Sequence, residues 1–211
     1  MTMEYNDKQV LIIQAAEKLF AANGFEGTSV RDIAHDAGIN IAMISYYFGS
    51  KEKLMEAIFA YRISYTRLTI ESLLQSDKYT PIQKIEKIID SYTEKLMAHQ
   101  CFYKLMAQEQ SIREIQQISE LIYDSKAKNL EMVKKIVQEG QKNGDFVKNI
   151  DVPLMMVTLI GTGMQFVVSQ DFYKKFYKME DASDEEFKKL MKKKLNHHLK
   201  SLFKAFLTNE A

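Results

Sequence analysis

The chain has 211 residues, of which 46% are hydrophobic, and its 29 basic side chains nearly balance 28 acidic ones. This apolar fraction is sufficient for a well-packed interior, whereas eight glycines and two prolines are too few for the turns of a β-sandwich or barrel. The single Cys101 excludes an intramolecular disulfide and has no Cys or His nearby at the spacing of a zinc site. We therefore expect an all-α protein with no metal and no cofactor.

The N-terminal sequence MTMEYNDKQ lacks the apolar segment and cleavage site of a signal peptide. The longest apolar stretch, 152–168, is interrupted by Thr, Gly and Gln and is shorter than the roughly 20 residues of a membrane-spanning helix. We expect a cytoplasmic protein with no membrane partner.

Helical periodicity begins near the N-terminus. Asn6 or Asp7 can cap a first helix, and Gly24 can end it in a left-handed conformation. Ser29 and Asp32 have the spacing of a capping box, which predicts a short second helix that ends near the glycine at position 38.

The remaining elements are also predicted to be helices. Asn40 can cap a third helix, Gly49 and Ser50 end it, and an amphipathic helix follows over 51–75. Further helices are predicted at 81–99, 101–110, 112–142, 152–171 and 184–208. The polar break before Pro81 predicts a headpiece over 1–50, a connecting helix and linker over 51–80, and a C-terminal domain over 81–211.

The segment TSVRDIAHDAGINIAMISYYF has the parts of a helix-turn-helix. Ala34 is small where two helices would cross, Gly38 lies in the turn, and Ile33, Ile39 and Ile44 are spaced to form a shared core. Hydroxyl groups, basic groups and helix N-termini contact phosphate, so the predicted phosphate contacts are Thr28, Ser29, Arg31, Tyr47 and Lys51. Tyr47 is equally consistent with a core position, and Arg31 could instead pair with a carboxylate of the headpiece.

The run GTSVRDIAHDAGINIAMISYYFGSKEKLMEAIF, within 9–59, resembles the N-terminal signature of the TetR family of repressors. The resemblance implies that base contacts lie among Ile41, Ala42, Met43 and Tyr46, and that Tyr47 and Lys51 contact phosphate. Ser45 departs from the aromatic residue common at its position, and the apolar side chains before it favour van der Waals contact with thymine methyl groups.

The charge of the N-terminal region does not by itself indicate DNA binding. Residues 1–60 contain five Lys and Arg against eight Asp and Glu, a difference of −3. The six lysines between 188 and 200 lie on an amphipathic pattern, which favours a solvated helix face over a nucleic-acid contact.

The C-terminal region carries no Walker loop, GxSxG or HExxH motif, so we do not expect an enzyme. Its methionines and aromatics suit an adaptable apolar cavity for a small-molecule effector, although each alone is more often core. The candidate ligand contacts are Met97, Phe102, Tyr103, Met106, Tyr123, Met155, Met164 and Phe166.

The TetR resemblance implies a homodimer in which 152–171 and 184–208 form an intersubunit four-helix bundle. Gly161 and Gly163 would allow backbones to approach closely there. The predicted function is a repressor that leaves double-stranded operator DNA when the effector binds. The alternative is a helical ligand-binding or interaction protein without DNA-binding activity.

Overall fold

The computed structural model describes residues 5–107 and 116–208, and all regular structure in those ranges is helical. In chain order the helices are α1 (Asp7–Asn23), α2 (Val30–Asp36), α3 (Ile41–Phe48), α4 (Lys51–Leu74), α5 (Pro81–Ala98), α6 (Gln100–Ala107), α7 (Gln116–Asn143), α8 (Val152–Val168), α9 (Gln170–Phe176) and α10 (Asp184–Thr208). The all-α prediction is confirmed. The predicted helix ends at 110 and 112 lie outside the described residues.

The helix starts follow their capping residues. The side chain of Ser29 accepts the backbone N–H of Asp32, which reciprocates in a capping box, and Asn40 accepts the N–H of Ala42 at the start of α3. Thr80 caps α5 in the same way as Ser29 caps α2. These local signals act over three residues, which is why the sequence predicts them well.

One compact unit contains the described residues up to position 67 together with 101–107 and 116–126. Its apolar core includes the buried side chains Ile12, Phe20, Ile33, Ile44, Phe48, Phe59, Phe102, Leu105 and Ile118. Helix α6 and the first residues of α7 therefore pack in the same unit as the predicted headpiece. The proposed functional boundaries at 50 and 80 stay a prediction, because compact units and functional domains need not coincide.

A buried ion pair ties α1 to α4 in this unit. The Arg62 Nε donates to Glu17 Oε2 at 2.6 Å and its second guanidinium nitrogen donates to Oε1 at 3.2 Å. The side chains are only 6% exposed for Glu17 and 12% for Arg62. Burial raises the pKa of Glu17, and the hydrogen bond and charge of Arg62 oppose that rise.

The second compact unit contains 68–100 and the described residues from 127 onward. Helix α5 packs against α10 and α8 in it. The buried Lys84 of α5 donates to both carboxylate oxygens of Glu139 in α7, at 2.8 and 3.1 Å. Asn196 of α10 donates to Asp90 and Thr93 of α5, which fixes the register of those two helices.

The predicted single helix over 152–171 is wrong at its C-terminal end. Helix α8 ends at Val168, and α9 continues at an angle of 76° to it. Ser169 lies between them with φ −113° and ψ 23°, and its N–H is shared by the carbonyls of Gln165 and Phe166. The break contains neither Gly nor Pro, so the sequence gives no signal for it.

The outer faces of α8 and α10 leave apolar side chains in water. The exposed residues are Leu154, Val157, Ile160 and Val168 on α8, and Leu202 and Phe206 on α10. Gly161 lies on this side of α8 with open space where a Cβ would be. Gly163 is instead buried against the Tyr92 ring of the same chain, so its small size serves packing within the unit.

Candidate nucleic-acid interface

Helices α2 and α3 form the helix-turn-helix that the sequence predicts. Gly38 has φ 65° in the turn, where an L side chain would be strained. The N–H of Ile39 donates to the Ala34 carbonyl at 3.0 Å, which closes the turn. Ile33, Ala34 and Ile44 are buried together in the core of this unit. The two helices are therefore held rigidly relative to each other.

Helix α3 presents one face to solvent. Ile44 and Phe48 are buried, whereas Ile41, Ala42, Ser45 and Tyr46 are exposed, and we name these four residues the recognition face. Tyr46 is 82% exposed although it is a large aromatic side chain. An exposed tyrosine at this position is available for contact with a base edge or a thymine methyl. Met43 is half-buried at the edge of the face.

Ser45 is the recognition-face residue that the sequence reasoning left out of the site. It stands one helical turn after Ile41 and Ala42 and beside Tyr46, so the spacing 41, 42, 45, 46 was the signal for it. Its hydroxyl can both donate and accept a hydrogen bond, which the apolar neighbours cannot.

Tyr47 lies at the boundary between surface and core. Its side chain is half-buried and packs against the apolar cluster of the unit, and its ring makes an edge contact with Tyr46 at 5.1 Å between centroids. Tyr47 therefore contributes to the packing of the core. Because its side chain is only half-buried, its hydroxyl is also compatible with a phosphate contact.

Two predicted phosphate contacts point into the unit. The buried Thr28 hydroxyl donates to the carbonyls of Gly24 and Leu19. The Lys51 ammonium donates to the Phe25 carbonyl at 2.9 Å and to the Thr28 carbonyl at 3.2 Å, and lies 4.2 Å from the centre of the Phe25 ring. In this conformation both side chains hold the loop between α1 and α2 in place.

Ser29 and Arg31 are exposed at the start of α2. The Ser29 hydroxyl donates to Asp32 at 2.6 Å, and the hydrogen bonds from Ser29 hold the pKa of Asp32 below its usual range. Lys18 is bound to Asp36 at 2.5 Å, which neutralises one headpiece carboxylate. Arg31 is an exposed cation on α2, the helix that packs against α3.

The candidate ligand residues divide between the two units. Phe102, Tyr103, Met106 and Tyr123 belong to the first, and Met97, Met155, Met164 and Phe166 belong to the second. Phe102 is part of the buried core, and Phe166 stacks on Phe187 with 6.0 Å between ring centroids. Tyr123 is 73% exposed, so its side chain stands on the surface of its unit. Burial raises the pKa of Tyr103 to about 12.

A surface cavity of about 560 Å³ opens within the second unit. Its lining is mostly charged and consists of Glu94, Met97, Ala98, Glu185, Glu186, Lys188, Lys189 and Lys192. Met97 is the candidate ligand residue among them. The apolar effector cavity that the sequence predicts stays a prediction.

Among 5–107 and 116–208, no three His, Cys, Asp or Glu side chains group closely enough to hold a metal ion. No single helix of that part of the chain is both long and apolar enough to cross a membrane. Only α8 and α9 taken together reach that length and apolar composition, and they are bent by 76° at the break between them.

Comparison with known proteins decides the family. Residues 12–58 match the family model of the bacterial regulatory proteins of the tetR family, and residues 81–195 match that of the tetracyclin repressor-like C-terminal domain. The chain belongs to the TetR family. The TetR resemblance of the N-terminal segment is thereby confirmed, and this family consists of transcriptional regulators rather than enzymes.

Curated TetR-family relatives align with part of the chain. The probable HTH-type transcriptional regulator YttP of Bacillus subtilis strain 168 is 31% identical over 140 residues, which cover 64% of this chain and 66% of that protein. The HTH-type transcriptional repressor NicS of Pseudomonas putida is 28% identical over 147 residues, 66% of each chain. The chain thus aligns with just under two thirds of the length of these relatives.

Solved TetR-family structures resemble nearly the whole fold. The ketosteroid transcriptional regulator KstR2 of Mycobacterium tuberculosis superposes with a TM-score of 0.72 at 17% identity, covering 97% of both chains. The fatty acid degradation regulator FadR of Bacillus halodurans gives 0.70 at 21% identity, covering 94% of this chain and 97% of the other. At these identities the likeness concerns the fold.

Proposed function

We propose that this TetR-family chain is a transcriptional repressor that binds operator DNA in the cytoplasm through α3 and leaves it when a small molecule binds. The recognition face carries the proposal: two buried anchors, Ile44 and Phe48, fix α3 while Tyr46 and its neighbours are displayed to solvent. A short helix held in this way can enter a major groove about 12 Å wide.

The roles of the interface residues follow from their placement. Ile41, Ala42, Met43 and Tyr46 are the proposed base contacts, and Ser45 joins them because its hydroxyl is exposed on the same face. Ser29, Arg31 and Tyr47 are the proposed phosphate contacts, since each has polar atoms near the surface at the ends of α2 and α3. Thr28 and Lys51 stay in the proposal as residues that shape the phosphate-binding loop.

Selection of bound duplexes from a random-sequence DNA library tests these roles. Wild-type protein should recover a motif with two related half-sites about 10 base pairs apart or a multiple of that spacing. Tyr46→Ala and Met43→Ala should recover a different or less defined motif, whereas Tyr47→Phe and Arg31→Ala should recover the same motif with lower yield. An unchanged motif with Tyr46→Ala would contradict the base-contact assignment.

We infer that the working unit is a homodimer that buries the outer faces of α8 and α10. Leu154, Val157 and Ile160 are exposed at helical spacing along one side of α8, and Leu202 and Phe206 are exposed on α10, which favours burial of these side chains against a partner. The open space at Gly161 allows another backbone to approach α8 closely. Gly161→Arg places an unpaired charge there and should yield monomers in sedimentation velocity, whereas Tyr123→Ala, on an exposed side chain of α7, should sediment like wild type.

The effector proposal rests on the C-terminal domain, because ligand-responsive regulation is typical of this family. Binding of the effector would shift the population toward a headpiece spacing that no longer matches successive major grooves, about 34 Å apart. DNA and effector would then weaken each other's binding by the same factor. A screen of small molecules by thermal shift, followed by DNA competition, tests this linkage; a stabilising ligand that leaves DNA affinity unchanged would contradict it.

A further inference from the structure

Helices α5 and α10 are joined by a row of polar pairs. Asp90 of α5 accepts hydrogen bonds from Lys200 at 2.6 Å and from Asn196 at 2.8 Å. One turn further along α5, Glu94 forms an ion pair with Lys192. The two helices therefore run antiparallel, and each turn forward along α5 is matched by a turn backward along α10.

The row ends at the charged surface cavity of about 560 Å³, a volume typical of small-molecule sites. One turn beyond Glu94 stands Ala98, and one turn before Lys192 stand Lys188 and Lys189. All of these residues line the cavity. At this level of the row α10 supplies lysines, whereas position 98 of α5 carries no carboxylate to pair with them.

The charges around the cavity leave one lysine uncommitted. Its three lining carboxylates each have a partner, namely Lys192 for Glu94, Lys188 at 3.4 Å for Glu185, and the Ser183 cap for Glu186. The Lys189 side chain is exposed and forms no ion pair with another residue that the structure describes. The lining therefore offers a ligand one positive charge.

Apolar side chains complete the lining. Met97 is 6% exposed, and the exposed Ala98 follows it at the end of α5. A methionine thioether adapts to apolar ligands and makes favourable contacts with aromatic rings. A ligand that suits this cavity therefore combines an apolar body with an anionic group. Because three carboxylates also line the cavity, they repel a carboxylate monoanion less than a phosphate dianion.

We propose that this cavity is a binding site for a small carboxylate with an aromatic body. The ligand carboxylate accepts hydrogen bonds from Lys189 and takes the place of the acidic side chain that α5 lacks at position 98. The aromatic body packs on Met97 and Ala98. The bound molecule thereby continues the row of polar pairs and joins the end of α5 to α10. The inference depends neither on DNA binding nor on the predicted apolar effector cavity.

Titration of full-length protein with 4-phenylbutanoate tests the site. Isotope-labelled methionine methyl groups allow NMR to follow Met97, whose signal is assigned with Met97→Leu. That signal should shift with a dissociation constant on the order of 1 mM, as expected for a ligand of this size. The uncharged analogue 4-phenylbutanamide should bind about 10-fold more weakly, because it cannot form a charge-assisted pair with Lys189.

Variants on both helices separate the effect of charge from that of space. Lys189→Gln should weaken binding of 4-phenylbutanoate about 10-fold. Lys193→Gln, at an exposed lysine of α10 outside the lining, is the matched control and should bind like wild type. Ala98→Glu supplies the missing carboxylate and should abolish binding while the circular dichroism spectrum stays that of wild type. Ala98→Gln, of the same size without the charge, should weaken binding less.

Several outcomes would overturn the proposal. Absence of a Met97 shift at about 10 mM 4-phenylbutanoate would mean that the cavity does not bind such a ligand. A shift confined to other methionines would place the ligand elsewhere. Equal affinity for the acid and the amide would contradict the role of Lys189, and tighter binding of 4-phenylbutylammonium would assign the cavity to cations. Tighter binding of phenyl phosphate would contradict the choice of a carboxylate.

Discussion

The buried ion pair between α1 and α4 gives the sharpest stability prediction. Glu17→Met leaves the Arg62 guanidinium in a position where only 12% of its side chain is exposed, without the carboxylate that accepts two of its hydrogen bonds. Removal of one partner from a buried pair costs about 3 kcal/mol or more. Small proteins are stable by only about 5–15 kcal/mol, so the midpoint of urea unfolding should fall markedly.

Arg62→Met should behave differently, because a carboxyl group can become neutral and a guanidinium cannot. Burial already raises the pKa of Glu17, and loss of the Arg62 charge removes the influence that opposes this rise. A raised folded-state pKa favours the folded chain at low pH, and that benefit is lost as the pH rises through it. The loss of unfolding free energy in Arg62→Met should therefore be small at pH 5 and larger toward pH 8. Until the pH reaches the new pKa of Glu17, this loss should grow by about 1.4 kcal/mol for each unit by which the pH rises.

The double variant Glu17→Met/Arg62→Met completes the cycle. An apolar pair fills the site without an unpaired charge, so its stability should return to within about 1 kcal/mol of wild type. The free energies of unfolding come from urea titrations followed by circular dichroism at pH 5 and pH 8. A double variant that loses as much stability as the two single variants together would contradict the proposed role of this ion pair, as would a loss of stability in Arg62→Met that is the same at both pH values.

Three further predictions concern single groups. Burial lowers the pKa of Lys95 to about 8, so as the pH rises the folded chain loses this proton before the unfolded chain does. Above pH 8 the wild type should therefore gain stability relative to Lys95→Met, as measured by urea titration. Gly163→Ala would place a Cβ against the Tyr92 ring and should destabilise by about 1–3 kcal/mol; an unchanged melting temperature would mean that Tyr92 moves aside freely. Ser29→Ala removes a hydrogen bond that lowers the pKa of Asp32, so that pKa should rise in an NMR titration, and a constant value would assign the lowering to another cause.

Local sequence signals predict most of the fold. The capping box at Ser29 and the glycine at position 38 act over a few residues, and the spacing of Ile33 and Ile44 predicts which sides of α2 and α3 are buried. These signals suffice to place the helix-turn-helix and to show which residues of α3 face solvent.

The sequence does not predict features that depend on contacts between distant parts of the chain. Glu17 and Arg62 are 45 positions apart, and no periodicity predicts that they meet. The inward turn of Lys51 depends on where the carbonyls of the preceding loop lie in space. The bend at Ser169 occurs without Gly or Pro, so it is set by how α8 and α9 pack rather than by a breaker residue.

The salt dependence of DNA affinity, measured by fluorescence anisotropy on a selected duplex and a scrambled one, tests the central proposal most directly. The selected duplex should bind at least on the order of 1,000-fold more tightly than the scrambled one. Lys51 is turned inward, whereas Arg31 of α2 and Lys53 of α4 are exposed cations close to α3. Two copies of each would give a slope of log K against log salt of roughly −4. Equal affinity for the two duplexes would contradict sequence-specific binding by α3 and favour a ligand-binding or interaction protein without DNA-binding activity.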